Sequence, residues 1–138
     1  MTKSVYDSFE VDQSLLASGV VLDVVTPEGD RIGTIRCLPA DGDLNPRYRA
    51  AAARALEEIQ RAGVVEDTAM TARIYAESVF IDWSGPGWRD RDGNPLPYST
   101  DNCARVMAEL PTLFRQLQRE ARRWTNWRRA YPEGIAGK

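Results

Sequence analysis

Four oxygen-bearing side chains between positions 90 and 101 have the spacing of ligands in a calcium loop. Asp90, Asp92 and Asn94 occupy the first, third and fifth positions of such a loop, and Asp101 occupies the twelfth. The sixth position, which needs glycine for a sharp turn, holds Pro95, and Asp101 is shorter than the usual bidentate glutamate. We therefore interpret the segment as a tight Asp-Gly and Gly-Asn turn and expect no metal site.

The chain contains no histidine, which removes the commonest general base, the commonest metal ligand and every Ser–His or Cys–His dyad. Two isolated cysteines, Cys37 and Cys103, cannot supply a tetrahedral zinc site, and we expect both to be free thiols. Glu77 and Asp82 are interpreted as helix caps or surface charges near a helix end. The sequence therefore predicts a protein that is not an enzyme, with no catalytic residue and no cofactor.

An arginine cluster and two tryptophans near the C-terminal end are the candidate sites for binding phosphates or bases. The formal net charge of −2 opposes a nucleic-acid or membrane partner. We favour a solvated face or an electrostatic contact with an acidic protein. The arginines concerned are Arg115, Arg119, Arg122, Arg123, Arg128 and Arg129, and the tryptophans are Trp124 and Trp127.

Hydropathy gives no sign of a membrane or secretory segment. The sequence has no apolar run of about 18 residues, as a membrane-spanning helix would need. The first residues, MTKSVYDSFEVDQ, lack the apolar core of a signal peptide. We therefore expect a soluble protein in the cytoplasm.

The pattern of apolar and turn-forming residues predicts an α+β fold that is mostly helical. A β-branched run, a Pro27–Asp30 turn and a second alternating run predict an N-terminal β-hairpin over about 19–37. Apolar residues at helical spacing predict four helices over about 46–62, 66–82, 100–110 and 112–128. Residues 1–18 are expected to form a flexible arm, residues 19–128 a single globular domain, and residues 129–138 a flexible tail.

Helix boundaries are indicated by capping residues and by proline. Asn45 and Pro46 are typical of a helix start, and Gly63 of a helix end. Ser99 is expected to cap the third helix, and Pro111 either kinks that helix or starts the next one. Between the second and third helices, the Pro- and Gly-rich residues 84–98 predict a long ordered loop.

This loop carries the most specific signal in the sequence. We expect Trp83, at the end of the second helix, to pack beneath the loop. Pro95 and Pro97 stiffen an extended segment, so that Leu96 and Tyr98 point inward as anchors. Two interpretations of these residues stay open: they join two helices, or they bind a partner.

The stretch from Ile81 to Trp83, followed by DRDGNPLPYSTDN at 90–102, resembles a pattern in tail assembly chaperones of long-tailed (siphovirus-type) bacteriophages. The helix start at Asn45–Tyr48, the preceding hairpin and the Trp127-Arg128 pair are also similar to that family. The resemblance spans most of residues 19–128. The extra glycine and proline in Ser84–Trp88 depart from the pattern.

The resemblance implies a non-enzymatic chaperone that acts in the cytoplasm of the bacterial host during virion assembly. Such a protein binds the tape measure protein, recruits tail tube subunits and is absent from the finished particle. Self-association is left open. The alternatives are a structural tail or neck protein of the virion and a nucleic-acid-binding regulator. Partner-binding or loop candidates are Trp83, Trp88, Leu96, Pro97, Tyr98, Arg119, Arg122, Arg123 and Trp127.

Overall fold

The fold combines a small antiparallel sheet with helices, as the sequence predicts. The structure is a computed structural model that describes residues 3–130. Three strands lie in the order β1 (Val20–Val25), β2 (Arg31–Cys37) and β3 (Phe80–Ser84), each antiparallel to its neighbour. The predicted hairpin is therefore present, and β3 extends it to the three strands that an independently stable sheet needs.

Six α-helices and one 3₁₀ turn complete the described part of the chain. Four of these helices form the main helical layer, and two short helices precede the sheet. The helices are α1 (Val5–Phe9), α2 (Gln13–Ser18), α3 (Pro46–Ala62), α4 (Thr68–Ser78), α5 (Thr100–Glu109) and α6 (Pro111–Ala121), and the 3₁₀ turn spans Trp124–Trp127. Among the helices of residues 3–130, none is both long enough and apolar enough to cross a lipid bilayer.

The predicted helix over 66–82 is wrong at its C-terminal end. Helix α4 stops at Ser78, and Phe80 enters β3, where it pairs with Cys37. The apolar side chains after Ser78 suit a buried strand as well as a helix, and pairing with β2 satisfies the backbone groups of this segment. Trp83 consequently lies in a strand, not at a helix end.

The predicted helix over 112–128 is also too long. Helix α6 begins at Pro111, so proline starts a new helix here and does not kink the previous one. It ends at Ala121, and the chain continues through the 3₁₀ turn, where the Asn126 side chain donates to the Glu120 carbonyl at 2.8 Å. This side-chain bond satisfies a carbonyl near the helix end and stabilises the change of direction.

The N-terminal segment contains two short helices and is bonded to the C-terminal part of the chain. The Asp12 amide donates to the Trp127 carbonyl at 2.8 Å, and the Arg129 amide donates to the Glu10 carbonyl at 2.8 Å. Phe9 stacks on Trp124 with ring centroids 5.8 Å apart. The flexibility expected for residues 1–18 stays a prediction. The tail expected over 129–138 lies outside the described residues from position 131 onward.

Asn45 is the main polar contact inside the fold. Its side-chain oxygen caps α3 by accepting from the Arg47 and Tyr48 amides. Its side-chain nitrogen donates to the carbonyls of Pro39, at 2.9 Å, and Ser78, at 2.8 Å. Because Asn45 is only 3% exposed, one buried amide joins the end of the sheet, the start of α3 and the end of α4.

Replacing Asn45 by alanine should lower the free energy of unfolding by about 2–4 kcal/mol. The change removes a helix cap and leaves two buried carbonyls without a donor. Urea unfolding measures the effect. The matched variant Asn94→Ala, at an exposed position, should change stability by no more than about 0.5 kcal/mol. Equal effects of the two variants would contradict this role for Asn45.

Both thiols should be unreactive in the folded protein. Their ionisation should lower the free energy of unfolding at alkaline pH. Cys37 and Cys103 are free and fully buried, and burial raises the pKa of each from 9.0 to about 12. Because the unfolded chain loses these protons first, the contribution of the neutral thiols is complete below pH 9.0 and is lost as the pH rises toward about 12. Thiol labelling with and without urea, and urea unfolding on both sides of pH 9.0, measure the two effects. Equally fast labelling in both conditions would contradict the burial.

Candidate functional site

The predicted packing of tryptophan beneath the loop is present, and we call residues 83–98 the tryptophan clasp. The rings of Trp83 and Trp88 stack nearly parallel, with centroids 4.0 Å apart and planes inclined by 7°. The Trp83 indole nitrogen donates to the Leu96 carbonyl at 2.9 Å, and that of Trp88 donates to the Thr34 carbonyl at 2.9 Å. Each buried indole is therefore satisfied, and these bonds join the loop to strands β3 and β2.

Leu96 and Tyr98 point inward, as the sequence predicts. The Tyr98 ring meets Trp83 edge-on at 5.2 Å, and its hydroxyl donates to the Phe80 carbonyl. Leu96 packs against the hydrophobic core, whereas Pro97 is exposed and its carbonyl accepts from the Asn102 side chain. The clasp therefore joins a strand to the start of α5, and not two helices as expected.

Two glycines allow the loop to lie against the sheet. A Cβ on Gly33 would lie 2.9 Å from the Ser84 carbonyl oxygen and 3.0 Å from the Trp88 indole nitrogen. Gly85 has a φ of 115°, and a Cβ there would lie 2.6 Å from the Gly33 Cα. These contacts leave no room for larger side chains, so the close approach requires glycine at both positions.

The acidic stretch of the clasp forms the turn that the sequence predicts. An Asp90 side-chain oxygen accepts from the amides of Asp92, at 3.0 Å, and Asn94, at 2.9 Å. Gly93 has a φ of 86°, as this turn requires. Within residues 3–130, no group of three or more Cys, Asp or Glu side chains is arranged to hold a metal ion. The carboxylate of Asp90 thus serves the turn itself.

A small apolar cavity adjoins the clasp, between the hairpin and helices α5 and α6. Its volume is about 140 Å³, and Trp88, Leu96 and Leu110 are among its lining residues. Arg89 also lines it, but the guanidinium donates to the carbonyls of Pro86 and Gly93 and is held by the loop. This space suits a single aliphatic side chain and is smaller than the usual ligand pocket.

The C-terminal arginines and Trp127 occupy different environments. Arg119, Arg122 and Arg123 are exposed, and Arg123 pairs with Glu120 at 3.6 Å. Trp127 is fully buried, and its indole nitrogen has no hydrogen-bond partner within residues 3–130. Its ring therefore belongs to the core and is not presented to a partner or a base in this conformation.

Sequence reasoning missed a surface between α3 and α4, which we call the α3–α4 groove. Its volume is about 210 Å³, and its lining is mostly apolar on the α3 side. Ala51 is the one residue buried in the 17-residue helix α3, whereas Leu56 is 55% exposed and Val65, just after the helix, is 81% exposed. The groove residues are Tyr48, Ala52, Ala55, Leu56, Ile59, Glu66, Thr71, Ile74, Tyr75 and Arg122.

The apolar spacing within α3 was the available signal for this groove. Tyr48, Ala52, Ala55, Leu56 and Ile59 follow one face of the helix, which is normally a sign of core packing. Here α4 covers only part of that face: the two helices are joined at the Asn45 end, and Leu56 farther along α3 stays exposed. The sequence shows the stripe but not its incomplete burial.

Four packed side chains have raised pKa values. Burial raises the pKa of Cys37, Cys103, Tyr75 and Tyr98, and in each case it is the largest cause. All four groups are therefore neutral and protonated at physiological pH.

Replacing Trp88 by phenylalanine should lower the free energy of unfolding by about 1–3 kcal/mol. The change removes the bond to the Thr34 carbonyl and reduces the stacked area against Trp83. Urea unfolding measures the loss, and far-UV circular dichroism should lose the exciton signal of the stacked indole pair. The control variant Trp124→Phe, at the Phe9 stack, should keep that signal. An unchanged spectrum in the Trp88 variant would contradict the stack.

Comparison with known proteins identifies a family that matches the C-terminal two thirds of the chain. A family model described as YdaY prophage protein matches residues 43–138, from just before α3 to the end of the sequence, and so covers more than half of the chain. No curated protein and no solved structure matches the chain. The chain belongs to the YdaY prophage protein family.

Proposed function

We propose that this phage-related protein is a non-enzymatic tail assembly chaperone that binds the tape measure protein and recruits tail tube subunits. The prophage family supports the phage setting. The resemblance of residues 81–102 to the tail chaperone pattern supports the specific role. Action in the cytoplasm of the bacterial host, before the virion is complete, is part of the same proposal.

The α3–α4 groove is the structural feature that supports this proposal. A tape measure protein is expected to consist of long amphipathic helices, and such helices bind by laying their apolar face into a hydrophobic groove. Helix α3 offers an apolar stripe, centred on Leu56 and Ile59, that its own chain covers only partly. A partner helix that covers this stripe removes apolar area from water on both molecules, which favours binding.

The composition of the chain supports a binding role without catalysis. The sequence contains no histidine, and both thiols are buried and protonated. A second groove beside α3, of about 510 Å³, has a mixed lining of charged residues that includes Arg54, Glu58 and Arg73. Charged rims around an apolar centre are typical of protein-binding surfaces.

Replacing Leu56 by aspartate should strongly weaken the chaperone effect while leaving the fold intact. Co-expression of the wild-type protein with the tape measure protein of the same prophage should keep that protein soluble and co-purify it. A buried anchor contributes at least about 1.4 kcal/mol, so we expect the variant to recover roughly tenfold less complex. Because Leu56 is exposed in the free protein, the substitution should not unfold it.

Ala53→Asp is the matched control for this experiment. Ala53 is exposed on the same helix, lies outside both grooves and receives the same charge. It should co-purify the tape measure protein as the wild type does. Failure of the wild-type protein to bind would contradict the proposed function, as would its presence in purified particles, which would instead support a structural virion protein.

A further inference from the structure

The α3–α4 groove has charges of opposite sign at its two ends. We infer that its occupant is an amphipathic helix that places a carboxylate side chain over Arg122 and a basic side chain over Glu66. This inference rests on the proposed function and names the chemistry of the partner. It follows from how polar groups are distributed along the groove.

The positive end lies where α3 begins and α4 ends. There the ring of Tyr48 meets that of Tyr75 edge-on at 5.9 Å, and Arg122 of the segment after α6 lies beside them. Arg122 is exposed and takes part in none of the salt bridges among residues 3–130. Its guanidinium is therefore available to a carboxylate, which it can bind with two parallel hydrogen bonds.

Tyr75 provides an independent sign of an unfilled polar site at this end. The residue is only 1% exposed, and its hydroxyl meets no hydrogen-bond partner of good geometry within residues 3–130. Burial raises the pKa of this hydroxyl, and the charge of Arg122 together with weak, poorly aligned hydrogen bonding to Arg122 and Gln118 opposes the rise. A buried hydroxyl without a well-formed hydrogen bond is costly, so a carboxylate arriving at Arg122 gains a second donor beside it.

The negative end lies where α3 ends and α4 begins. Glu66 is exposed there, and one of its carboxylate oxygens accepts from the Thr71 hydroxyl at 3.3 Å. The rise of α3 from Tyr48 to Ile59 separates the two ends by about 16 Å. Between them the surface is apolar, with Ala52, Leu56 and Ile59 on the α3 side.

This spacing defines the partner helix. Since a helix rises about 1.5 Å per residue, the acidic and basic side chains should be about three turns apart, with an apolar stripe between them. A nucleic acid carries phosphates along its whole length and offers no cation to Glu66, so the groove favours a protein helix over that partner. Opposite charges at the ends also select the direction in which the helix lies.

Synthetic helical peptides of about five turns test the inference on the full-length protein. The first peptide carries a leucine stripe with Glu and Lys about three turns apart, and the second replaces that Glu by Gln. Fluorescence anisotropy should show roughly tenfold tighter binding of the Glu peptide, the effect of one charge-assisted pair. The variant R122Q should bind both peptides with the affinity that the wild type has for the Gln peptide.

Two further variants separate this site from general electrostatics. Arg115→Gln removes the same charge from α6 at an exposed position outside the groove, and it should retain the preference for the Glu peptide. Tyr75→Phe should weaken binding of the Glu peptide, although loss of an unpartnered buried hydroxyl should leave stability in urea unchanged or higher.

Equal affinity for the two peptides, equal losses in R122Q and R115Q, or no binding of either peptide would each overturn the inference. These outcomes are distinct from failure of the proposed function, because co-expression with the tape measure protein tests that function separately. If that protein binds and the Leu56 variant disrupts binding while the peptides show no preference, the chaperone proposal stands and the partner charge pattern is wrong.

Discussion

A single buried amide determines where the helices of this protein lie. Asn45 caps α3 with its oxygen and bonds the carbonyls of Pro39 and Ser78 with its nitrogen. The start of α3 is thereby fixed against the end of α4, and the two helices run from this junction toward Gly63 and the following turn. Since the helices are bonded at one end and α4 covers only part of α3, the apolar stripe of α3 borders a groove and is not enclosed in the core.

The tryptophan clasp has a complementary role on the sheet. Backbone bonds already tie the Pro- and Gly-rich loop to β2 and within itself, and the indoles of Trp83 and Trp88 add bonds to the Leu96 and Thr34 carbonyls. Their stacked rings also cover the buried face of β2 at Gly33. The resemblance to phage chaperones is strongest in the residues that hold the loop in place, whereas the proposed binding surface lies on α3, α4 and Arg122. A pattern that defines a fold need not mark the binding residues.

Local signals predicted much of the fold, and long-range contacts explain the rest. The hairpin and α3 were predicted well because turn residues, an Asn cap and a Pro at the first helical position act within a few residues. The predicted C-terminal end of α4 was wrong because Phe80 and Trp83 suit either a helix or a strand. Pairing with β2, which is distant in sequence, favours the strand. The burial of Trp127 likewise depends on contacts made from the other end of the chain, through Asp12. The groove was missed because spacing shows which residues are apolar but not whether a neighbour covers them.

The pairing of β3 with β2 ties the N-terminal hairpin to the rest of this chain. The matched region begins at residue 43, so it contains β3 but neither β1 nor β2. A lone strand cannot satisfy its own backbone amides and carbonyls, and in this chain the residues ahead of the matched region provide the neighbouring strand. In this chain the N-terminal hairpin is thus part of the sheet and not an appendage, and its removal would expose the edge of β3 that now pairs with β2.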